Sequence, residues 1–299
     1  MQEILQSGID GIALGSIIAL AAVGLTLTYG ILRLQNYAHG DVLTLGAYVA
    51  FFANTVLKLN IWLSFVIGCV GAVIFLLICE KILWAGLRKK RASETTMLIV
   101  SVGLALVMRN GIILLWGASP QKYDLPTFPA LNFMGLIITR NSIVVIVMAI
   151  AVIAGLYYLL QNTQIGKAMR AVADNPELAR VTGINVETVI LWTWIMAGTL
   201  TALGGGMYGL ITNVRPTMGW YLILPMFAAV ILGGVGNPYG AIAGAMVIGV
   251  AQEVSTVCPA SLGNLAKYCI GTEYKIGVGL LIMVLVLLFK PQGLFKTSS

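Results

Sequence analysis

The sequence predicts an all-α protein, a polytopic transmembrane helical bundle of about 8–10 spans, from its composition and from the length of its apolar runs. The chain of 299 residues is 59% hydrophobic and only 10% charged, whereas a soluble domain carries about 25% charged residues to cover its surface. Its apolar residues form repeated, continuous runs of about 20 residues, the length at which a helix crosses a bilayer. Because these runs do not alternate apolar and polar positions, the spans are expected to be helices and not the strands of a barrel.

Nine apolar segments account for the individual spans. The seventh is short, follows Pro216 and contains Pro225, so a broken or re-entrant helix is expected there. Glycines recur at four-residue spacing in several spans, as at Gly11 and Gly15, and small residues at this spacing let membrane helices pack closely. The nine segments are residues 8–31, 40–57, 61–84, 96–117, 138–160, 187–211, 220–234, 239–257 and 274–290.

The distribution of Lys and Arg predicts that the N-terminus is outside and the C-terminus is cytoplasmic. In this orientation the cytoplasmic segments contain eleven Lys and Arg residues and the outer segments six, as the positive-inside rule requires. Residues 88–91 form the strongest cytoplasmic anchor. Residues 118–137, with three prolines, are predicted to be an outer loop of extended backbone and turns. Because the basic residues lie at span ends, the net charge of +7 is interpreted as a topology signal, and nucleic-acid binding is not expected.

The four cysteines and the single histidine are candidates for covalent or metal chemistry. Cys69 and Cys79 lie in one span, about 15 Å apart along a helix, which is too far for a disulfide. Cys258 and Cys269 flank an outer loop, where an oxidising compartment permits either a disulfide or two free thiols, and both alternatives stay open. His39 is the only histidine and no set of further ligands accompanies it, so no metal site is expected.

The most informative polar stretch is the cytoplasmic loop 161–186. It alternates small apolar and charged residues, and Asn175-Pro176 predicts a break between two short helices, because Asn caps a helix and Pro suits its first turn. Gly183 is suited to end the second helix in a left-handed conformation. The loop is a solvated connector, a helix resting on lipid headgroups, or a docking surface for a soluble partner. We favour docking, because a plain connector is usually shorter.

Charges and glycine runs within the spans are candidates for a solute path. Arg109 lies inside the fourth span, where a charge costs about 2.5–3.5 kcal/mol, so it either faces the interior and a passing carboxylate or snorkels to the boundary. Asp41 begins the second span, where the helix dipole favours a carboxylate without further function. The runs 204–206 and 233–238 are expected to interrupt helices, and interrupted helices in a membrane face protein or water. We hypothesise that spans six to eight line a path, with Gly234 at one interruption.

Four motifs occur in order along nearly the whole chain. Asn36-Tyr37-Ala38-His39-Gly40-Asp41 precedes the second span, and Thr163-x-x-Gly166-x-x-x-Arg170-Ala171 leads to Asn175-Pro176, Ala179 and Gly183-Ile184. They are followed by Gly233-Gly234-x-Gly236-Asn237-Pro238-x-Gly240 and by Lys290-Pro291-x-Gly293-Leu294-Phe295. As a set, these motifs resemble those of the permease subunits of bacterial ATP-binding-cassette importers for branched-chain and neutral amino acids.

The resemblance implies a single permease domain, residues 1–299, in the bacterial inner membrane, with residues 161–186 as the loop that couples it to an ATPase. It also implies that the stretch before the second span lines the inner end of the path. The expected coupling residues are Gly166, Arg170, Ala171, Asn175, Ala179 and Gly183. The expected path residues, including those inferred from charge and from glycine runs, are Asn36, His39, Asp41, Arg109 and Gly234.

The resemblance further implies partners: a second permease subunit, usually in a heterodimer, two ATPase subunits and a periplasmic substrate-binding protein. The chain has no phosphate-binding Gly-x-x-x-x-Gly-Lys-[Ser/Thr] motif, so it is not expected to be an enzyme or to hold a cofactor, and ATP would be used by the ATPase subunits. The same architecture could carry urea or short amides. A secondary transporter is less favoured, because Arg109 is the one ionisable candidate at mid-membrane.

Overall fold

The chain is described by a computed structural model over residues 2–126, 131–133, 136–257, 271, 274–290 and 293–294. Within these residues the protein is almost entirely helical, with one short antiparallel hairpin of two strands, β1 Leu131–Phe133 and β2 Leu136–Ile138. The helices are α1 Gln2–Leu32, α2 His39–Phe51, α3 Ile61–Cys79, α4 Ala85–Lys89, α5 Glu94–Trp116, α6 Arg140–Asn162, α7 Gln164–Asp174, α8 Pro176–Val181, α9 Val186–Ile211, α10 Met218–Gly233, α11 Pro238–Val254 and α12 Lys275–Phe289. Single π-helical turns, Phe52–Val56 and Glu80–Trp84, continue α2 and join α3 to α4.

The predicted polytopic helical bundle is confirmed. Each of the nine apolar segments corresponds to a helix, with boundaries shifted by a few residues. Five helices of the described chain are long and apolar enough to cross a membrane, and α10 and α12 are shorter apolar helices. The five are Gln2–Leu32, Ile61–Lys89, Glu94–Trp116, Arg140–Asn162 and Val186–Ile211.

The core of the bundle is built on α1, which packs chiefly against α11 and α9. Nearly every residue of α1 from Ala13 to Thr28 is buried, so this helix is enclosed by other helices on all sides. At its crossing with α11, a Cβ on Gly11 would lie 2.6 Å from the Cα of Val250, and one on Gly15 would lie 3.1 Å from the carbonyl oxygen of Ala245. The predicted small-residue packing is therefore present, since only glycine permits these approaches.

Two predicted interruptions are wrong. Helix α9 runs without a break through Gly204–Gly206, and α10 runs without a break through Pro225. The glycines serve close packing instead: a Cβ on Gly206 would lie 2.8 Å from the ring of Phe65. The helix-breaking tendency of Gly and Pro is measured in water, and packed neighbours in a membrane bundle suppress it. The third interruption is present. Helix α10 ends at Gly233, and beyond this end Gly234 and Gly236 have positive φ angles of 95° and 87°.

The two ends of the bundle differ. One end carries α7 and α8, which form a helical hairpin, and it is here termed the hairpin end. The opposite end, termed the loop end, carries the predicted extended segment, where Gln121 pairs with Val214 and β1 pairs with β2. Cys69 and Cys79 are free thiols, as predicted, whereas Cys258 and Cys269 lie outside the described residues.

Candidate functional site

A non-helical segment enters the middle of the bundle between α1 and α2. Helix α1 ends at Leu32, and the next helix begins at His39, whose Nε2 lies 2.9 Å from the carbonyl oxygen of Ala21. Ala21 is about 16 Å along the axis from the end of α1, at 1.5 Å per residue. Residues 33–38 therefore return from the hairpin end into the interior, and α2 begins there. The motif around Asn36 and Asp41 thus lies about halfway along α1.

The backbone of this segment is satisfied by side chains, as an apolar interior demands. The amide of Tyr37 donates to Ser101 Oγ of α5 at 3.1 Å, and the amide of Ala38 donates to Asn36 Oδ1 at 3.1 Å. Ser101 Oγ is also within 3.3 Å of the carbonyl oxygen of Gln35. Asn36 is fully buried, and its Nδ2 has no hydrogen-bond partner among the residues described.

Asp41 and Arg109 form an ion pair inside the bundle. The Nε and Nη2 atoms of Arg109 donate to the two carboxylate oxygens of Asp41 at 3.2 and 3.1 Å, a two-pronged geometry that suits guanidinium and carboxylate. The Asp41 side chain is 2% exposed and the Arg109 side chain 15%. The guanidinium carbon also lies 4.7 Å from the centre of the Trp220 ring on α10. Snorkelling of Arg109 is therefore wrong, because its charge is compensated within the bundle.

His39 is fixed by its neighbours. Because a carbonyl oxygen only accepts, the contact with Ala21 assigns the hydrogen to Nε2 of His39. The same Nε2 lies 2.8 Å from Thr201 Oγ1 on α9, and that hydroxyl donates to the carbonyl oxygen of Ala197. The Nδ1 atom is buried without a partner in the described chain. His39 therefore acts as a polar contact between α1, α2 and α9.

A cavity of about 330 Å³ lies between α1, residues 34–37, α10 and α12, and its lining includes neither Asp41 nor Arg109. Leu224, Phe227 and Ile231 of α10 form one wall, on the same helix face as Trp220. The Tyr37 ring packs on Phe227 with 5.0 Å between ring centres and forms part of the opposite wall. The cavity is mainly apolar, and the side chains of Tyr29 and Gln35 add polar groups.

Gly234 does not lie at the ion pair. It follows α10 near the hairpin end, with a φ of 95° that favours glycine, and a Cβ on Gly293 would lie 2.6 Å from its Cα. The neighbouring Gly236 amide donates to Thr26 Oγ1 of α1 at 3.0 Å. Gly234 is therefore part of the tight turn between α10 and α11, near the hairpin end.

The predicted pair of short helices in loop 161–186 is present as α7 and α8. Asn175 Oδ1 accepts from the amides of Glu177 and Leu178 at 3.0 Å, so it caps α8, with Pro176 at the first position. Gly183 has a φ of 89° and follows the end of α8, as predicted. The two helices form a hairpin against the ends of α6, α9 and α1.

The residues of this hairpin have two different environments. Gly166 packs against the end of α6, where a Cβ would lie 2.6 Å from the carbonyl oxygen of Leu159, and the Arg170 guanidinium donates to the carbonyl oxygen of Leu160. Ala179 is buried and Ala171 half-buried, so these two residues also face the bundle. The outward face carries Leu178 and Val181, which are 60% and 85% exposed.

Sequence reasoning placed Leu178 and Val181 among the apolar residues of the loop without separating them from the buried ones. It missed the contact between Arg109 and Trp220 and the pairing of Arg109 with Asp41. The pairing had a signal: an arginine within an apolar run needs a compensating group, and Asp41 is one of few acidic residues near a span. The contact with Trp220 had none, because 111 positions separate the two residues in the chain.

The chain resembles known proteins along most of its length. The family model described as branched-chain amino acid transport system, permease component, matches residues 8–287. The LivH high-affinity branched-chain amino acid permease protein of Salmonella typhimurium is 30% identical over 97% of this chain and 94% of its own length. BraD of Pseudomonas aeruginosa, with the same description, is 28% identical over 97% and 95%.

Among solved structures, a chain of PsaBC from Streptococcus pneumoniae in complex with Fab is similar, with a TM-score of 0.54 and 10% sequence identity. The similarity covers 98% of this chain and 93% of that one, and at this identity it shows the fold alone. The family match covers far more than half of the sequence and agrees with the helical bundle. The chain therefore belongs to the family of branched-chain amino acid transport system permease components.

Proposed function

We propose that this permease translocates branched-chain amino acids through the membrane, driven by ATP hydrolysis on two separate ATPase subunits. The observation that carries the coupling mechanism is the α7–α8 hairpin, which is anchored to the bundle on one side and exposes the apolar residues Leu178 and Val181 on the other. Energy released in a soluble subunit must enter the membrane bundle through a surface element that moves as one body with it.

The contacts of the hairpin support this role. Gly166 allows α7 to lie directly on the carbonyl end of α6, and Arg170 donates to that same end. On the other side, Leu178 and Val181 project from α8 three positions apart, so they share one helix face. Exposed apolar residues at this spacing suit insertion of a helix into a groove of a partner. Movement of the groove would then be transmitted to α6.

We infer that the hairpin end is cytoplasmic and the N-terminus is outside, in the bacterial inner membrane. Supporting this orientation, the hairpin bears Lys167, Arg170 and Arg180, and the basic residues 88–91 follow α3. The opposite orientation would put these residues outside, against the positive-inside rule. The loop end would then receive substrate from a periplasmic binding protein.

We infer that a second permease subunit covers the outward face of α5. This helix buries only one face, formed by Ser101, Ala105, Met108 and Ile112. Gly103 and Asn110 lie on the opposite face, with open space around Gly103 and an exposed Asn110 whose amide donates to the carbonyl oxygen of Leu106. Small residues and amides are typical of helix contacts in membranes, and an amide facing lipid is costly.

Uptake of radiolabelled leucine, isoleucine and valine tests the function, in a host strain that lacks this gene and in the same strain with the gene restored. We expect uptake to depend on the restored gene and on ATP. A restored strain that imports urea but none of the three amino acids would contradict the proposal. For variants of the α7–α8 hairpin, Asp174→Asn serves as the control in the same uptake assay, because Asp174 is exposed and makes none of the contacts on which the mechanism depends.

A further inference from the structure

The Asp41–Arg109 ion pair is accessible from one side. The Asp41 side chain is almost fully enclosed, whereas the Arg109 side chain is 15% exposed, and its guanidinium carbon contacts the ring of Trp220, itself 47% exposed. The arginine therefore reaches the surface of the chain beside α10.

The apolar cavity adjoins this surface. Leu224 follows Trp220 by one helical turn, about 6 Å along α10, and lines the cavity together with Phe227 and Tyr37. Along one face of α10, Trp220 therefore contacts the paired Arg109, and Leu224 and Phe227 then line the apolar cavity. An amino acid with an apolar side chain has the same two parts.

The charges of Asp41 and Arg109 determine which solutes can separate the two side chains. Separating two buried charges is strongly unfavourable unless each gains a new partner. A zwitterion supplies both: its carboxylate matches the two-pronged Arg109 fork, and its ammonium matches the Asp41 carboxylate. A neutral solute such as urea supplies neither charge, so it would leave Asp41 and Arg109 unpaired.

We propose that the Asp41–Arg109 ion pair is a zwitterion-binding site. The α-carboxylate of an amino acid binds Arg109 there, and its α-ammonium binds Asp41. This proposal rests on the proposed function and adds its recognition chemistry. The apolar side chain of the bound amino acid lies in the cavity formed by Leu224, Phe227 and Tyr37. When the amino acid leaves, Asp41 and Arg109 pair again and close the site behind it.

The test separates recognition from assembly by neutralising the charges singly and together. Asp41→Asn and Arg109→Gln each leave one buried charge unpaired, so both single variants are expected to lower recovery of the assembled importer. The double variant D41N/R109Q removes both charges and is expected to restore recovery, because an uncharged pair of similar shape needs no compensation. K58Q/D124N is the control, since Lys58 and Asp124 form an ion pair exposed to solvent, 3.0 Å apart.

The readouts are recovery of the complete importer with its ATPase subunits, its ATPase activity, and leucine uptake into proteoliposomes with the binding protein at a fixed concentration. If the pair recognises substrate, D41N/R109Q assembles like the wild type but takes up leucine about tenfold more slowly or worse, because two charge-assisted contacts are lost. Wild-type uptake by this double variant would overturn the proposal. The control is expected to retain both assembly and uptake.

A second double variant covers the case in which D41N/R109Q does not assemble. D41L/R109M replaces the pair with apolar side chains, a change that buried ion pairs often tolerate. Assembly with the same loss of uptake supports recognition, and failure of both double variants to assemble would assign the pair to structure and overturn the proposal. Absence of amino acid uptake by the wild-type importer would instead contradict the proposed function, so the two failures are distinguishable.

Discussion

Substitution of Gly166 by alanine tests the attachment of the α7–α8 hairpin to the bundle. The added Cβ would lie 2.6 Å from the carbonyl oxygen of Leu159 and closer still to that of Leu160. Carbon and oxygen atoms in close contact are normally about 3.3 Å or more apart, so α7 must shift by roughly 0.7 Å or more. Because both obstacles are backbone carbonyls at the end of α6, no side-chain rotation relieves the overlap.

The shift also weakens the contact of the Arg170 guanidinium with the carbonyl oxygen of Leu160. Overpacking at such a site costs about 1–3 kcal/mol. If this energy opposes docking of the ATPase subunit, its affinity for the permease falls about 5- to 100-fold, at about 1.4 kcal/mol per factor of ten. The loss should be seen in the docked complex and not in membrane insertion, because the spans themselves are unchanged.

The assay is titration of the purified permease with its ATPase subunit, paired with leucine uptake into proteoliposomes. Gly155→Ala on α6 is a matched control, because no atom lies within 4 Å of the Cβ that it would add. We expect Gly155→Ala to bind and transport like the wild type. Wild-type ATPase affinity together with wild-type uptake in Gly166→Ala would refute the reasoning.

Three further changes probe the other surfaces. Leu178→Glu or Val181→Glu on the outward face of α8 should weaken ATPase binding at least about 30-fold in the same titration, since each puts a carboxylate in an apolar contact; unchanged affinity would exclude this face from docking. Gly11→Leu should lower the yield of folded permease by gel filtration, while Gly8→Leu, with open space around Gly8, should not. Asn110→Leu should weaken pairing of permease subunits about 3- to 30-fold in cross-linking, and unaltered pairing would count against α5 as the contact.

The helices and their ends were predictable from local sequence. Apolar run length predicts the spans because each backbone group in a membrane must bond within its own helix. The break at Asn175-Pro176 was predicted for an equally local reason, since the Asn side chain caps the amides two and three positions ahead. Gly183 likewise adopts the left-handed conformation that its position after a helix suggested.

The predictions about Gly204–Gly206 and Pro225 failed because local tendency is not the deciding factor inside a bundle. Close neighbours of α9, such as Phe65 beside Gly206, fill the space that a side chain would occupy and stabilise the continuous helix. Glycine in this setting indicates the approach of another helix more than a break in its own. The same residue type marks a true turn at Gly234, where α10 has already ended.

The sequence by itself determined the class of protein, the number and place of its apolar helices and the division of loop 161–186 into two. The helices and their ends depend on interactions between near neighbours in the chain, and the class of protein depends on the apolar runs and on motifs spread along nearly the whole sequence. Only the tertiary structure decided that α2 begins halfway along α1, that Asp41 meets Arg109, and that Trp220 contacts Arg109 one helical turn from an apolar cavity. These contacts join residues 18 or more positions apart. They follow from how whole helices pack, and no periodicity or composition along the chain records that packing.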